Sequence, residues 1–363
     1  MRNVSQTQEI VMRVLVVGPD WEDGSEVGCQ NGLRAMGHEA TLFDPRKYIG
    51  VPRPLQRYPL AYAAAEFVLR GTVREPFFFA QKPLLETARR LRVDMVLVVQ
   101  LLWVLPETIA ELRSQGIVCA GWFPDAFTSF GRGTFLLAPW NGLFFQDRFM
   151  VKRLRQSLSA DYIHHLPECM DRVFHRPIDV TEEDRRVYGA DVATFGNYYP
   201  YRAKLIEPLL DGGIDVKLWG AKPPSWLHHK VHKFWAGKVV QGDEKCKAML
   251  AAKIALNTNH YAGIGDVNKR TFELGGMGAF QLTDNRPALG EYFEIGKEVV
   301  TFDGRADLRE KVEYYLARPV ERQQIAAAAA RRAHRDHTFE KRLEVLLRTV
   351  GLHPGTAPLP QGS

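Results

Sequence analysis

Two α/β units built on parallel sheets are what this sequence predicts, on three observations. Apolar runs of strand length alternate with stretches of helical length through most of the chain, the pattern of successive βαβ units. A polar stretch from Asp171 to Gly189, with Pro177 and the acidic run Glu182-Glu183-Asp184, interrupts that series, and a second alternating series follows it. At 363 residues, 45% hydrophobic and 25% charged, the chain holds enough apolar material for two cores and has the composition of a folded protein.

In order, Val11 to Gly18 (VMRVLVVG) reads as a buried first strand, Glu26 to Met36 as a helix capped by Gly37, and Glu39 to Phe43 as a second strand. Helix Lys82 to Leu91, strand Asp94 to Val99, helix Pro106 to Gln115 and strand Ile117 to Trp122 follow, then short strands at Gly142 to Phe145 and Tyr162 to His165. The second series runs strand Asp191 to Phe195, helix Tyr201 to Leu210, strand Asp215 to Trp219, Val239-Val240, helix Asp243 to Ala252 and strand Ile254 to Asn257. Helices at Asp307 to Leu316 and Val320 to His334 come next, and Leu343, Leu346, Leu347 and Val350 mark an apolar stripe on a final helix from Glu340 to Val350. The expected organisation is a Rossmann-like N-terminal domain over 1–175, a linker over 176–189 and a Rossmann-like C-terminal domain over 190–336. A terminal helix over 337–352 and a loose Pro- and Gly-rich tail over 353–363 complete it. No repeat of solenoid period interrupts this plan.

Four cysteines without paired spacing fit a reducing, cytoplasmic setting rather than a disulfide framework. The apolar run from Ile10 to Val17 is interrupted by Arg13 and lacks the length of a signal peptide, and no uninterrupted apolar span is long enough to cross a bilayer. Phe67 to Phe79 is apolar and aromatic but carries Arg70, Arg74 and Glu75; it offers either a peripheral contact with a membrane or acceptor, or a buried loop or helix. The net charge of +6 is spread along the chain, with no zinc finger, RNP-type aromatic motif or basic arm, so nucleic acid is disfavoured as a partner, and a diphosphate donor, an anionic acceptor or a membrane surface would each use the same surplus. The turn after the first strand, Gly18-Pro19-Asp20-Trp21-Glu22-Asp23-Gly24, lacks the Gly-x-Gly-x-x-Gly spacing and would repel a pyrophosphate, which argues against dinucleotide binding there.

Asp266 to Phe302 (DVNKRTFELGGMGAFQLTDNRPALGEYFEIGKEVVTF) concentrates the chemical signal. Asn268, Lys269 and Arg270 stand at an expected helix N-terminus, where unpaired backbone N–H groups and the helix dipole favour a diphosphate. Glu273 lies about one turn on, where a carboxylate can accept hydrogen bonds from the hydroxyls of a ribose. Gly275, Gly276 and Gly278 suit close packing and a tight turn before strand Ala279 to Leu282. Asp284 follows at a sheet edge, as a cleft residue or as a turn carboxylate satisfying backbone N–H groups.

These residues resemble the sugar-nucleotide half of GT-B glycosyltransferases, most closely the CgeB-like (spore maturation protein) group, over roughly Asp191 to Val350. The resemblance implies the GT-B architecture, two Rossmann-like domains facing a cleft with the last helix crossing back to the first domain. It also implies transfer of a sugar from a nucleoside-diphosphate sugar to an acceptor (glycan, lipid, protein or small molecule) without a metal or other cofactor. One departure stands out: many retaining members carry a second Glu, seven intervening residues before the first, and Gly265 occupies that position here. By the same resemblance Gly196 and Asn197 form the turn beside the donor, and Arg202, with Lys204 less clearly matched, meets the diphosphate with a guanidinium fork suited to phosphate oxygens. Asp125, in the aromatic segment Trp122-Phe123-Pro124-Asp125 after an apolar strand, matches an acidic residue of the group. It is either a general base on an acceptor hydroxyl or a helix cap. His228, His229 and His232 lack an acidic or thiol partner nearby and read as an exposed face rather than a metal site. Two other functions stay open: a sugar-nucleotide epimerase or hydrolase on the same fold, and a non-catalytic protein that binds a nucleotide sugar or a partner protein.

Overall fold

The computed structural model describes residues 11–48, 60, 64, 67–68, 77–125, 133–197, 199–226, 229–263 and 265–352. Residues 69–76 of the aromatic stretch, Tyr198, His228 and the tail 353–363 lie outside the described residues. The chain divides into two compact units, Met1–Leu166 with Phe339–Ser363, and Pro167–Thr338.

The first unit runs β1 (Arg13–Val17), α1 (Ser25–Ala35), β2 (Glu39–Phe43), α2 (Phe78–Leu91), β3 (Met95–Val99), α3 (Pro106–Ser114), β4 (Val118–Phe123), β5 (Gly142–Phe145), α4 (Arg148–Leu158) and β6 (Ile163–His165). All six strands are parallel, in the order β2-β1-β3-β4-β5-β6, with Val16 facing Leu42 on one side and Leu97 on the other. Their side chains are fully buried at Leu15, Val16, Val17 and from Val96 to Val99, as expected of parallel strands covered on both faces. Helix α4 has no counterpart in the sequence reading. Four basic residues dilute its apolar stripe, and its clearest signal is Asp147, which caps it by accepting from the N–H groups of Phe149 (2.9 Å) and Met150 (3.1 Å).

The second unit runs α5 (Glu182–Tyr188), β7 (Ala190–Phe195), α6 (Pro200–Asp211), β8 (Val216–Trp219), α7 (His229–Phe234), α8 (Gly242–Ala251), β9 (Ala252–Asn257), α9 (Lys269–Met277), β10 (Gln281–Asp284), α10 (Leu289–Tyr292), β11 (Val300–Phe302), α11 (Gly304–Leu316) and α12 (Pro319–Asp336). Helix α5 occupies the end of the stretch read as a linker. Its acidic run forms a first turn closed by a reciprocal capping box between Thr181 and Asp184. The parallel sheet has the order β11-β10-β9-β7-β8, so the chain reverses its direction of winding between β7 and β9. In an open α/β sheet that reversal opens a crevice beyond the carboxyl ends of the two strands, where ligands bind.

The last helix, α13 (Phe339–Thr349), belongs to the first unit. It lies close on α1 because Gly28 and Gly32 present no side chains. A Cβ on Gly28 would overlap the Phe339 ring, and one on Gly32 would stand 2.8 Å from Leu343 Cδ1. Phe339 also meets Trp122 edge-on at 5.9 Å between ring centroids. Among the described residues no helix is long and apolar enough to cross a membrane.

Candidate functional site

The carboxyl ends of β7 and β9, where the second unit's winding reverses, collect most of the residues singled out from the sequence. Strand β7 ends at Gly196, whose φ of +105° is open to glycine and strained for any other residue. A Cβ there would collide with Nη2 of Arg270, and a Cβ on Gly220, at the end of β8, would collide with the Gly196 carbonyl oxygen. The two glycines therefore let the loop after β7 pass close beneath Arg270. Arg270, the second residue of α9, is half-buried and lays its guanidinium over the Phe195 ring at 4.5 Å from the centroid.

Arg202 sits differently from the sequence expectation. Only 4% exposed, it donates through Nη1 to the Asn197 carbonyl and through Nη2 to the Thr258 carbonyl at 3.0 Å. Its fork thus ties the loop after β7 to the loop after β9. It shapes the crevice as an internal staple, and Asn197 itself is exposed.

Asn268 caps α9, its Oδ1 accepting from Thr271 N–H at 3.1 Å. It also forms a reciprocal amide pair with Asn257, with bonds of 3.0 and 3.1 Å, and its backbone N–H donates to Asn259 Oδ1 at 2.8 Å. Asn259 in turn donates from its backbone and its amide to Asp284 Oδ1, at 2.7 and 3.0 Å. Asp284 Oδ2 accepts from Arg286 Nε at 2.9 Å, while Arg286 Nη1 reaches the Gly263 carbonyl at 2.9 Å. The Asp284 oxygens thus hold the loop after β9. The same network fixes the start of α9 on the loop after β9.

Glu273 stands one turn into α9 and is 5% exposed. Its Oε1 lies 3.2 Å from Lys245 Nζ, 3.3 Å from His175 Nε2 and 3.6 Å from Lys269 Nζ. Burial pushes the carboxyl upward, but Lys245, His175 and Lys269 outweigh it and hold Glu273 well below the usual carboxylate range. His175 is wholly buried; burial first, then Lys245, drive it down to about 4 against the pull of Glu273, so it is neutral near pH 7. Its Nδ1 accepts from the Asp171 N–H at 3.0 Å, which places the ring proton on Nε2, toward Glu273. The close approach of this turn depends on Gly276, where a Cβ would stand 2.8 Å from the His175 carbonyl oxygen.

Asp125 lies in the first unit, exposed at the carboxyl end of β4. Gly265, in the position of the second acid, is half-buried in the loop before α9. His232 lies on α7, and among the described residues no group of three His, Cys, Asp or Glu side chains is placed to hold a metal ion.

The model of the glycosyl transferase-like family matches residues 202–348. Spore protein CgeB of Bacillus subtilis (strain 168) is 26% identical over 169 residues, 42% of this chain and 52% of CgeB, so the match spans about half the length of that relative. The fold is GT-B. Sucrose-phosphate synthase from Thermosynechococcus elongatus superposes with a TM-score of 0.64 at 13% identity, over 92% of this chain and 97% of that one. Anabaena Alr3699/HepE, crystallised with UDP and glucose, does so with a TM-score of 0.61 at 10% identity, over 93% and 99%. The match to the glycosyl transferase-like model begins at Arg202 and takes in Asn268, Arg270, Glu273 and Asp284.

Five residues of the site escaped the sequence reading: His175, Lys245, Asn257, Thr258 and Asn259. The run Asn257-Thr258-Asn259-His260 directly after a buried strand was a usable signal, since polar residues at a strand's carboxyl end are where open sheets place their sites. His175 had none. It lies 98 residues before Glu273 in a stretch that reads as connection, and only the packing of its turn on Gly276 brings it in.

Proposed function

We propose that this chain is a glycosyltransferase that binds a nucleoside-diphosphate sugar in its second unit and passes the sugar to an acceptor. The observation that carries this reading is the joint placement of Arg270 and the N-terminus of α9 over Gly196 at the winding reversal, with ionised Glu273 one turn further. The diphosphate meets the N-terminal turn of α9, with its helix dipole, and the Arg270 guanidinium, beside the bare backbone of Gly196. Glu273 accepts from the ribose hydroxyls. As the sugar leaves, the negative charge that grows on the diphosphate is met by donors already oriented, which lowers the barrier without reorganisation. Arg202 and the Asn268–Asn259–Asp284 network hold those donors in place. In the first unit, Asp125 takes the proton from an acceptor hydroxyl. Helix dipole and guanidinium supply the neutralisation that a divalent cation would otherwise supply, so no metal is required.

A direct test incubates the protein with UDP-, GDP- and dTDP-sugars, with and without mixed acceptors, and follows release of the free diphosphate. Acceptor-dependent release that survives EDTA is expected, and Asp125→Asn should abolish nearly all turnover while leaving donor affinity intact. Release of free or altered sugar without an acceptor would point to a hydrolase or epimerase instead. Failure to bind any nucleotide would end the nucleotide reading.

A further inference from the structure

The buried contact set around Glu273 has a more specific consequence, which rests on the nucleotide reading above. We infer that His175 and Lys245 are positioning residues that hold the Glu273 carboxylate for a ribose, making this a site for ribonucleotides rather than 2′-deoxyribonucleotides. Lys245 comes from α8, 28 residues before Glu273, and is 4% exposed; His175 comes from a separate turn and is not exposed at all. An ammonium and a carboxylate withdrawn from water together cost several kcal/mol of hydration, which their attraction repays only when the geometry is good. A helix needing a residue here merely to fill space would be served as well by an apolar side chain. The arrangement does something an apolar residue cannot: it fixes an ionised acceptor with one oxygen, Oε1, anchored by its closest contacts to Lys245, His175 and Lys269.

That leaves the orientation of Oε2 determined by the carboxylate plane. A ribose offers a vicinal pair of hydroxyls, and a carboxylate with a fixed plane can accept from both; a 2′-deoxyribose offers only one. His175 reinforces the plane from a second direction, its Nδ1 held by the Asp171 N–H and its turn held by the missing side chain of Gly276. Lys269, on the same helix and one turn back, remains present in any variant of the other two.

The test is titration calorimetry on the full chain with two matched pairs, UDP against 2′-deoxy-UDP and GDP against 2′-deoxy-GDP. Loss of one hydrogen bond to a charged acceptor predicts that the native protein prefers the ribonucleotide by about tenfold or more. In Lys245→Met and in His175→Leu the preference should fall to about threefold or less, since the carboxylate then keeps its charge partner or its plane but not both. His175→Gln, whose amide can still donate toward Glu273, should restore most of it. Because both affinities are measured on one preparation, the ratio is insensitive to any fraction that fails to fold. A purely structural role would weaken both nucleotides together and leave the ratio unchanged, which would overturn the inference. A native preference near one would overturn it as well, while leaving the nucleotide reading standing; no binding of any of the four would remove that reading too.

Discussion

Glu273 carries its charge where water is nearly excluded, and the protein sustains that only through neighbours that contribute hydrogen-bond donors and positive charge. The same neighbours make stability depend on pH in a definite direction. His175 has its folded value depressed from 6.5 to about 4, so as pH falls below 6.5 the unfolded chain takes up a proton that the folded chain refuses. Stability is therefore full above about pH 6.5 and declines toward pH 4, approaching a loss of about 3 kcal/mol at about 1.4 kcal/mol per unit. Glu273, also depressed, adds stability that is present above its ordinary value of 4.5 and is lost as pH falls further. Thermal melts of the native protein between pH 7.5 and 4.5 should show a falling midpoint, and His175→Gln should flatten that slope. An identical slope in the variant would remove His175 from the account. At this scale the sequence was readable where a residue's role is local. The placing of Asn268, Lys269 and Arg270 at a helix N-terminus is such a case. Lys245 and His175 were unreadable, since neither has a local feature that distinguishes it from a surface lysine or a loop histidine.

At the scale of elements, α9 is the piece on which the site depends. Nine residues long and opening with Lys269 and Arg270, it would fray in isolation. Its start is fixed by Asn268, which serves at once as cap, as partner of the Asn257 amide and as donor to the Thr258 carbonyl at 3.2 Å. Asn268→Ala should cost about 2–4 kcal/mol, from the lost cap and the Asn257 side-chain oxygen left without the Asn268 donor. It should also weaken nucleotide binding more than its stability cost alone explains, which chemical denaturation and calorimetry on the same variant would separate. The sequence placed this helix correctly but ended it early. Gly275 and Gly276 read as a break, whereas the helix runs through both to Met277 and stops at Gly278, with φ +74°. The glycines serve packing there, against Phe293 and against the turn that bears His175. Helix α4 went unread for the opposite reason, its basic residues masking a short apolar face.

At the scale of the whole chain, the two units share one strand plan, with a first strand flanked by the second and third. In the second unit that plan brings the ends of β7 and β9 together at the site. The first unit is completed by a helix that the chain makes last, α13, seated on glycines of α1. Gly28→Val should drive α13 off α1 and destabilise the first unit by about 3 kcal/mol or more, an overpacking that has no flexible neighbour to absorb it. Nucleotide affinity, held within residues 167–338, should change little by comparison. A Gly28→Val protein with an unshifted melt would show that the close contact is not required.

What the sequence determined by itself was the class of fold, the order of most of its strands and helices, the basic start of α9 and the resemblance to a sugar-nucleotide half. Each of these is written in periodicity, in turn chemistry or in a contiguous motif, which need no knowledge of distant neighbours. Only the tertiary structure decided that Arg202 staples two loops rather than reaching outward, that Asp284 braces a turn, and that Glu273 is held by His175 and Lys245. Those outcomes depend on which residues, up to about a hundred positions apart, are brought within 3–4 Å when β7 and β9 are laid side by side. A one-dimensional pattern carries the propensity to form each strand, but the contacts between strand ends exist only once the sheet has closed.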